Sequence, residues 1–166
     1  MKISIMKTVL AVLAVGMGFP TPLSAAEAAP AECQQYTEDI QAILPDAAAY
    51  GSMTSRKVQL LDAKNQVIGY LLLPPAGKRK RVEGYNGVVN AAVVVSPENK
   101  ILGVVLGENG ETPRFLERLR NAGFLTRWNG KTPAEASKLK VDAVTRATYS
   151  SNAVKSEVGT ILKMQK

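Results

Sequence analysis

Residues 142–151, Asp-Ala-Val-Thr-Arg-Ala-Thr-Tyr-Ser-Ser, bring several hydroxyl groups and one carboxylate together directly before the last amphipathic run of the chain. That run places apolar residues at helical spacing from Ala153 to Leu162. The spacing predicts a helix that begins near Ser150 or Ser151, because either hydroxyl can cap it. The outer side of this helix is predicted to carry Lys155, Glu157 and Lys163.

Thr148 would then lie beside a helix N-terminus, where free N–H groups and the helix dipole favour an anion such as a phosphate. A hydroxyl at this point is well placed to carry or hold a phosphate. The alternative interpretation is an ordinary Ser/Thr-rich helix cap, and the stretch taken alone leaves both open.

The pattern Asp142-x-x-Thr145-x-Ala147-Thr148 resembles the Asp-x-x-Ser/Thr-Gly-Ala-Thr signature of the FMN-binding domain family. That family includes the C subunit of the sodium-pumping NADH:quinone oxidoreductase and the G subunit of the Rnf electron-transport complex. In such proteins the last threonine takes FMN through a phosphoester bond, which a separate flavin transferase makes. The matching residue here is Thr148, while Arg146 stands where the family usually has glycine.

The order of three further features extends the resemblance. The family has a Gly-Tyr-x-Gly turn, a strand pair, a Glu-Thr-Pro loop and a helix before the threonine signature. This chain has Gly84-Tyr85-Asn86-Gly87, a strand pair within 88–106 and Glu111-Thr112-Pro113, in that order. The match covers most of the chain from about Tyr70 onward. Arg114 is a second arginine at a position where the family often has glycine.

The resemblance implies roles for individual residues. Thr148 would bear the phosphate, and the helix start at Ser150 and Ser151, together with Arg146, would neutralise it. Asp142 and Thr145 would shape the loop that the transferase recognises, and Ala147, also in the signature, is a further predicted cofactor-binding residue. Residues that would line the flavin are Glu111, Thr112 and Tyr85. Both arginines could contact a phosphate or a partner; equally, Arg146 could hinder the transferase and leave the protein unmodified.

The first residues are typical of a secretory signal. Lys2 and Lys7 precede an apolar run at 8–19, which is followed by prolines and small residues. The run is shorter than the about 20 residues of a membrane span, although an uncleaved anchor is an alternative. We predict a leader over residues 1–26 and a mature protein that starts near Glu27 or Ala29. Lipidation is not expected, because Cys33 follows an acidic residue.

Cysteine and histidine counts restrict the chemistry. A single cysteine cannot form an internal disulfide or attach a c-type haem, and a chain with no histidine cannot build a His-based triad or a His-ligated zinc or haem site. Redox work by this chain would therefore need an organic cofactor, and a bound flavin meets that requirement.

The densest basic cluster is Lys-Arg-Lys-Arg at 78–81, in a chain of formal net charge +7. It is short, follows a Pro/Gly-containing segment and has no interleaved aromatics, so nucleic-acid binding is not expected. A solvated loop is the favoured interpretation, and a docking patch for an acidic or membrane partner is the alternative.

The remaining segments predict an α+β domain with a twisted, mostly antiparallel sheet and packed helices, a single domain after the signal peptide. A helical pattern begins at Glu32 and breaks at Pro45. Two hairpins are predicted, from strands at 57–62 and 66–73 and from strands at 88–96 and 101–107. The Val- and Ile-rich second pair suggests central strands buried on both faces, or on one face under helices. The predicted division is 27–55, a helical or linker segment, and 56–166, the FMN-binding domain.

The second half of the chain contains two predicted helix starts of the same kind, in which a threonine precedes a proline. Thr112 precedes Pro113, and Thr132 precedes Pro133 with Glu135 completing a capping box. The first of these helices is predicted to end at Gly123. As local structure, both are well-made helix starts.

Taken together, these features predict an extracytoplasmic electron-transfer protein that carries FMN, an electron carrier more than a stand-alone enzyme. Its expected partners are the flavin transferase and a membrane or extracytoplasmic redox partner. One alternative is a small flavin-dependent reductase, although no second nucleotide motif is evident. The other is a flavin-free binding or scaffold module.

Overall fold

The computed structural model of the protein describes residues 31–165. The predicted leader at 1–26 and the predicted start near Glu27 or Ala29 lie outside the described residues. No helix within 31–165 combines the length and the apolar character that crossing a membrane requires.

One five-stranded antiparallel sheet forms the centre of the fold, with its strands in chain order β1-β2-β3-β4-β5. The predicted α+β class with an antiparallel sheet is confirmed. The strands are β1 (Ala49–Thr54), β2 (Lys57–Leu61), β3 (Val67–Leu72), β4 (Val89–Val95) and β5 (Ile101–Asn109). The helices are α1 (Ala31–Gln34), α2 (Thr37–Ile43), α3 (Pro113–Asn121), α4 (Pro133–Ala136) and α5 (Thr148–Lys163), with a 3-10 turn at Phe124–Thr126.

Both predicted hairpins are present as β2–β3 and β4–β5. Strand β1, a short strand with a glycine near its centre, was not predicted. The predicted boundary at residues 55 and 56 falls in the turn between β1 and β2, which pair with each other. The division itself stays a prediction.

Apolar side chains cover both faces of the sheet, which is one of the two alternatives predicted for β4 and β5. The predicted central position is wrong for β5, which is an edge strand. One cluster packs α5, α3 and Trp128 against alternate residues such as Val93 and Val104. The opposite cluster packs α1 and α2, through Cys33, Tyr36 and Ile40, against Val94 and other residues of that face. Because each strand alternates its side chains between the two faces, the Val-rich strands fill both cores at once.

Several predicted helix boundaries are confirmed, and one predicted cap is not. α2 ends at Ile43, before Pro45, and Gly123 follows α3 in a left-handed conformation with φ 60°, as expected for a helix-terminating glycine. The capping box of Thr132 and Glu135 at α4 is confirmed. Thr112 occupies the cap position of α3, but its side chain makes no capping hydrogen bond, so that part of the prediction is wrong.

The start of α5 differs from the prediction. The helix begins at Thr148 rather than at Ser150 or Ser151, and Ala147 occupies the cap position. Glu157 was predicted on the outer, charged side of α5, but it is 3% exposed and forms ion pairs with Arg79 and Arg81. The favoured interpretation of 78–81 as a solvated loop therefore holds for Lys78 and Lys80, which are exposed, and is wrong for Arg79 and Arg81, which are half-buried.

Candidate functional site

A cleft of about 230 Å³ opens where the first turn of α5 meets the start of α3 and the turn before β4. Thr148 lines it with an exposed side chain at the first residue of the helix. Peptide N–H groups in the first helical turn lack intrahelical partners, so this is an electropositive edge of the cleft. The predicted position of Thr148 beside a helix N-terminus is confirmed, although the helix begins earlier than expected. The lining consists of Tyr85, Phe115, Arg146, Ala147, Thr148, Tyr149 and Ser150.

Aromatic rings form much of the cleft surface. Tyr85 is 64% exposed and meets Phe115 edge-on, with ring centroids 4.9 Å apart and planes inclined by 67°. Tyr149 is 67% exposed on the other side, directly after Thr148. Large aromatic side chains left in water beside a cleft offer flat apolar faces to a planar ligand.

Glu111 joins the three sequence motifs. Its Oε1 accepts a hydrogen bond from the backbone N–H of Tyr85 at 2.6 Å and another from the Ser150 hydroxyl at 3.1 Å. Gly84 packs so closely on this carboxylate that a Cβ there would overlap Glu111 Oε1. The Gly-Tyr turn, the Glu-Thr-Pro loop and the first turn of α5 therefore meet at one buried carboxylate.

The second oxygen of this carboxylate is unusual. Glu111 is 6% exposed, and within the described residues its Oε2 has no hydrogen-bond partner. An unpaired buried carboxylate oxygen is costly, and such an atom commonly marks the place of a water molecule or a ligand group. Its neighbours Tyr85 and Ser150 both line the cleft.

Ser151 fixes the signature loop from inside. Its Oγ accepts from the N–H of Val144 at 2.9 Å and donates to the carbonyl of Ala147 at 2.8 Å. A turn closed by the Ala147 N–H and the Val144 carbonyl carries Thr145 and Arg146 at its centre. The expected capping by Ser150 and Ser151 is wrong, because both hydroxyls point into the protein and hold neighbouring segments instead.

Arg146 has φ 64°, in the left-handed region that glycine adopts at low cost. This conformation gives a physical reason for a glycine at the corresponding place in the family signature. Arg146 keeps the turn with a side chain and places that side chain on the cleft. Arg114 lies in α3 with no such backbone demand, and its guanidinium stands 5.5 Å from the centre of the Phe115 ring.

Besides Glu111 and Ser151, three predicted residues are outside the cleft lining. Asp142 is exposed, and its carbonyl accepts from Arg127 Nη1 at 2.7 Å. Thr145 is exposed in the turn before Ala147, and Thr112 lies half-buried at the start of α3. Their roles stay predictions. Two residues of the lining, Phe115 and Tyr149, were not predicted from the sequence. The place of Tyr149 next to Thr148 was the only signal that could have indicated it.

In a comparison with protein families, the model of the FMN-binding domain matches residues 84–163. The matched segment begins at Gly84 and ends at the last residue of α5, so it contains every residue of the cleft. FMN is the cofactor that this family implies. Among curated proteins and among solved structures, none matches the chain.

Proposed function

Because residues 84–163 match the model of the FMN-binding domain family, we propose that the chain is an extracytoplasmic electron-transfer protein with FMN linked by a phosphoester bond to Thr148. The observation that carries the proposal is the exposed Thr148 hydroxyl on the first turn of a 16-residue helix, inside an aromatic-lined cleft. When bound, FMN supplies the electron-transfer chemistry, and the chain's residues hold and orient it.

The cleft fits the two ends of this cofactor. A phosphate on Thr148 would lie against the N–H groups of the first turn of α5, with the Arg146 guanidinium on the same cleft. The rings of Tyr85, Phe115 and Tyr149 supply flat faces for a planar heterocycle. The unpartnered Oε2 of Glu111 is an acceptor suited to an N–H group of such a ring, or to a water molecule that binds it.

Attachment would require a separate flavin transferase. The Thr148 oxygen forms the new bond to phosphorus, the pyrophosphate bond of a flavin dinucleotide donor breaks, the hydroxyl proton is lost and adenosine monophosphate leaves. A threonine hydroxyl is a weak nucleophile unless a base activates it, and the chain has no histidine for that purpose. We therefore expect no self-attachment.

The size of the cleft favours a carrier over a small reductase. Clefts that bury most of a drug-sized ligand have volumes of about 300–1,000 Å³. The cleft beside Thr148, at about 230 Å³, is smaller than that range. A bound flavin would therefore keep part of its surface open to a redox partner, with little room for a second enclosed substrate.

Intact mass followed by peptide mapping tests the attachment. Protein made with the transferase, Mg²⁺ and the dinucleotide donor should gain the mass of FMN less one water, and protein made without the transferase should not. Trypsin cuts after Lys140, Arg146 and Lys155, so Thr145 and Thr148 fall on different peptides. We expect flavin on the peptide 147–155, at Thr148.

Two outcomes would count against the proposal. Flavin on Thr145, Ser150 or Ser151 would show that the signature is misaligned, and flavin on either serine would also require the helix start to open, since both are buried. A folded wild-type protein that never gains the mass would favour the flavin-free module.

Export is proposed on the leader pattern at 1–26. N-terminal sequencing of protein from its native host should give a start near Glu27 or Ala29. Recovery of intact Met1 would contradict cleavage, and a lipid on Cys33 would contradict both the sequence pattern and the burial of that side chain at 0% exposure.

A further inference from the structure

The basic run 78–81 belongs to the segment between β3 and β4 that leads to Tyr85, and its side chains alternate in environment. Lys78 and Lys80 are exposed, whereas the side chains of Arg79 and Arg81 are each 21% exposed. Residues 78–85 are called the strap below. The alternation indicates that the strap lies along the protein surface with its arginines turned inward.

Both arginines meet one carboxylate, that of Glu157 in α5. Arg79 Nη2 and Arg81 Nη2 both donate to Glu157 Oε1, the second at 3.1 Å. The Glu157 side chain is 4% exposed, so its charge is compensated by two cations rather than by water. Arg81 also donates to Asn90 Oδ1 at 2.9 Å and to the Val89 carbonyl at 2.8 Å, which joins the strap to β4.

A second buried carboxylate holds the other end of the strap. The N–H of Tyr85 donates to Glu111 Oε1 at 2.6 Å, and Gly84 packs against the same group. The strap is thus fixed at Arg79 and Arg81 by Glu157 and at Tyr85 by Glu111. Between these points, Glu83 makes an isolated β-bridge with Val88.

We propose that Glu157 is a positioning residue of the flavin site, which holds Tyr85 at the cleft through Arg79 and Arg81. Glu157 lies on the same helix as Thr148, so one rigid element carries the flavin acceptor at its first turn and the strap's attachment further along. This inference rests on the proposed function for the flavin, while the strap itself can be tested without any cofactor.

Removing the Glu157 carboxylate and removing its two arginine partners should affect the protein differently. Without Glu157, both arginines can turn to solvent, because each is already 21% exposed. Without both arginines, the Glu157 carboxylate would remain buried and unpaired, which is strongly destabilising. Glu157→Gln is therefore the informative variant, since it keeps the shape and removes the charge. Arg79→Gln, which leaves Arg81 on Glu157, is a milder second variant.

Limited trypsin digestion of the flavin-free protein tests the strap. Trypsin cleaves after lysine and arginine, so all four residues 78–81 are potential sites. Loss of charge-assisted hydrogen bonds should make the strap open more often, and cleavage within 78–81 should accelerate by about tenfold in Glu157→Gln. Glu117→Gln, on the exposed side of α3, is the matched control and should digest like wild type. Unchanged cleavage in both Glu157→Gln and Arg79→Gln would overturn the proposal.

The fluorescence lifetime of the flavin-loaded protein tests the link to Tyr85. A tyrosine ring beside an excited flavin quenches its emission by donating an electron, so Tyr85→Leu should lengthen the lifetime. Glu157→Gln should lengthen it too, and the double variant should match Tyr85→Leu, because both changes remove the same contact. An altered melting temperature with an unchanged flavin lifetime in Glu157→Gln would show that Glu157 has only a structural role. An unchanged lifetime in Tyr85→Leu would show that Tyr85 lies away from the flavin. Either result would overturn the proposal.

The mass of each sample shows whether it carries flavin, so a failure of the proposed function can be told apart from a failure of the proposed role of Glu157. A wild-type protein without flavin would contradict the proposed function, while the digestion pattern would still report whether Glu157 holds the strap.

Discussion

The helices α4 and α5 both begin beside a threonine, and their first turns are built in opposite ways. At α4, Thr132 Oγ1 accepts from the N–H of Glu135 at 3.3 Å, and Glu135 Oε2 accepts from the N–H of Thr132 at 2.8 Å. At α5, the cap position is Ala147, a residue with no side-chain acceptor, and the exposed Thr148 follows as the first helical residue.

The difference separates a structural threonine from a functional candidate. The capping box satisfies the first N–H groups of α4 with the helix's own side chains, so that end has little left to offer a ligand. The start of α5 is supported from inside, by the bond from Ser150 to Glu111 and by the bonds of Ser151. Its outer side carries the exposed Thr148, the proposed flavin acceptor.

Exchanging each threonine for alanine should give opposite results, and the effect on flavin attachment should be the largest. Thr148→Ala should lose the added mass completely, because it removes the acceptor oxygen, while its free energy of unfolding should stay within about 0.5 kcal/mol of wild type. Thr132→Ala should keep the flavin and lose about 1 kcal/mol of stability, the usual cost of a lost cap. Intact mass and thermal unfolding followed by circular dichroism measure both.

Flavin still present on Thr148→Ala would show that another hydroxyl accepts it. Loss of flavin from Thr132→Ala in a folded protein would show that the two helix starts are coupled, and the comparison between them would then fail.

Gly84→Ala should disturb the support beneath α5 without touching α4. The added Cβ would overlap Glu111 Oε1, so the carboxylate must move away from Tyr85 and Ser150. Overpacking at a well-packed site costs about 1–3 kcal/mol. Urea denaturation measures the loss, and a reduced yield of flavin attachment should accompany it.

Gly159→Ala is the matched control for that change. Gly159 lies inside α5, and among the described residues nothing stands within 4 Å of the position that its Cβ would take. Alanine there should stabilise the helix by about 0.5–1 kcal/mol. If both glycine variants shifted stability in the same direction, the close approach of Gly84 to Glu111 would not be what matters.

Much of this architecture follows from local sequence. Dense Val and Ile runs gave β4 and β5, and Pro133 with Thr132 gave the start of α4, because those patterns act through neighbouring residues. The beginning of α5 could not be read in the same way. A serine suits a cap and an inward hydrogen bond equally, and only the folded chain brings Glu111 to Ser150 across 39 positions.

The ion pairs of Glu157 were hidden from the sequence for the same reason. A glutamate on the polar side of an amphipathic helix is ordinarily solvated, and its partner Arg81 lies 76 residues away. The candidate FMN-binding site was predicted from sequence because three short motifs keep the order they have in the family. Its supporting contacts, which join those motifs, are a property of the tertiary structure.

Substitutions of Arg146 separate the effect of its backbone conformation from the effect of its charge at the start of α5. With φ at 64°, Arg146→Gly should be about 1 kcal/mol more stable than Arg146→Ala, which keeps the unfavourable conformation. If the guanidinium neutralises the phosphate, both variants should still accept flavin but hold it with altered mobility. If it blocks the transferase, both should raise attachment from a near-zero level in wild type.

In-gel flavin fluorescence and fluorescence anisotropy distinguish these outcomes. Equal brightness and equal anisotropy in wild type and Arg146→Gly would contradict both roles of the side chain. Equal stability of the glycine and alanine variants would contradict the conformational argument.

The smallest expected effect is a pH dependence confined to the capped start of α4. The Thr132 backbone N–H, helped by the Thr132 hydroxyl and by Lys100, lowers the pKa of Glu135 below its ordinary value of 4.5. A carboxyl whose pKa is lower in the folded state adds stability above its unfolded pKa, and this contribution is lost as the pH falls through the folded pKa. Glu135→Gln, which does not titrate, should therefore fall furthest behind wild type at neutral pH and approach it in acid, well below 4.5.

Thermal unfolding of both proteins across that range measures the difference, which should be small because Glu135 is exposed. A gap that stayed constant with pH would assign the acid sensitivity to other carboxylates. Flavin attachment to Thr148 should be the same in wild type and Glu135→Gln at any one pH, because α5 begins without a titrating cap. A selective loss of attachment in Glu135→Gln would show that the two helix starts do not act independently.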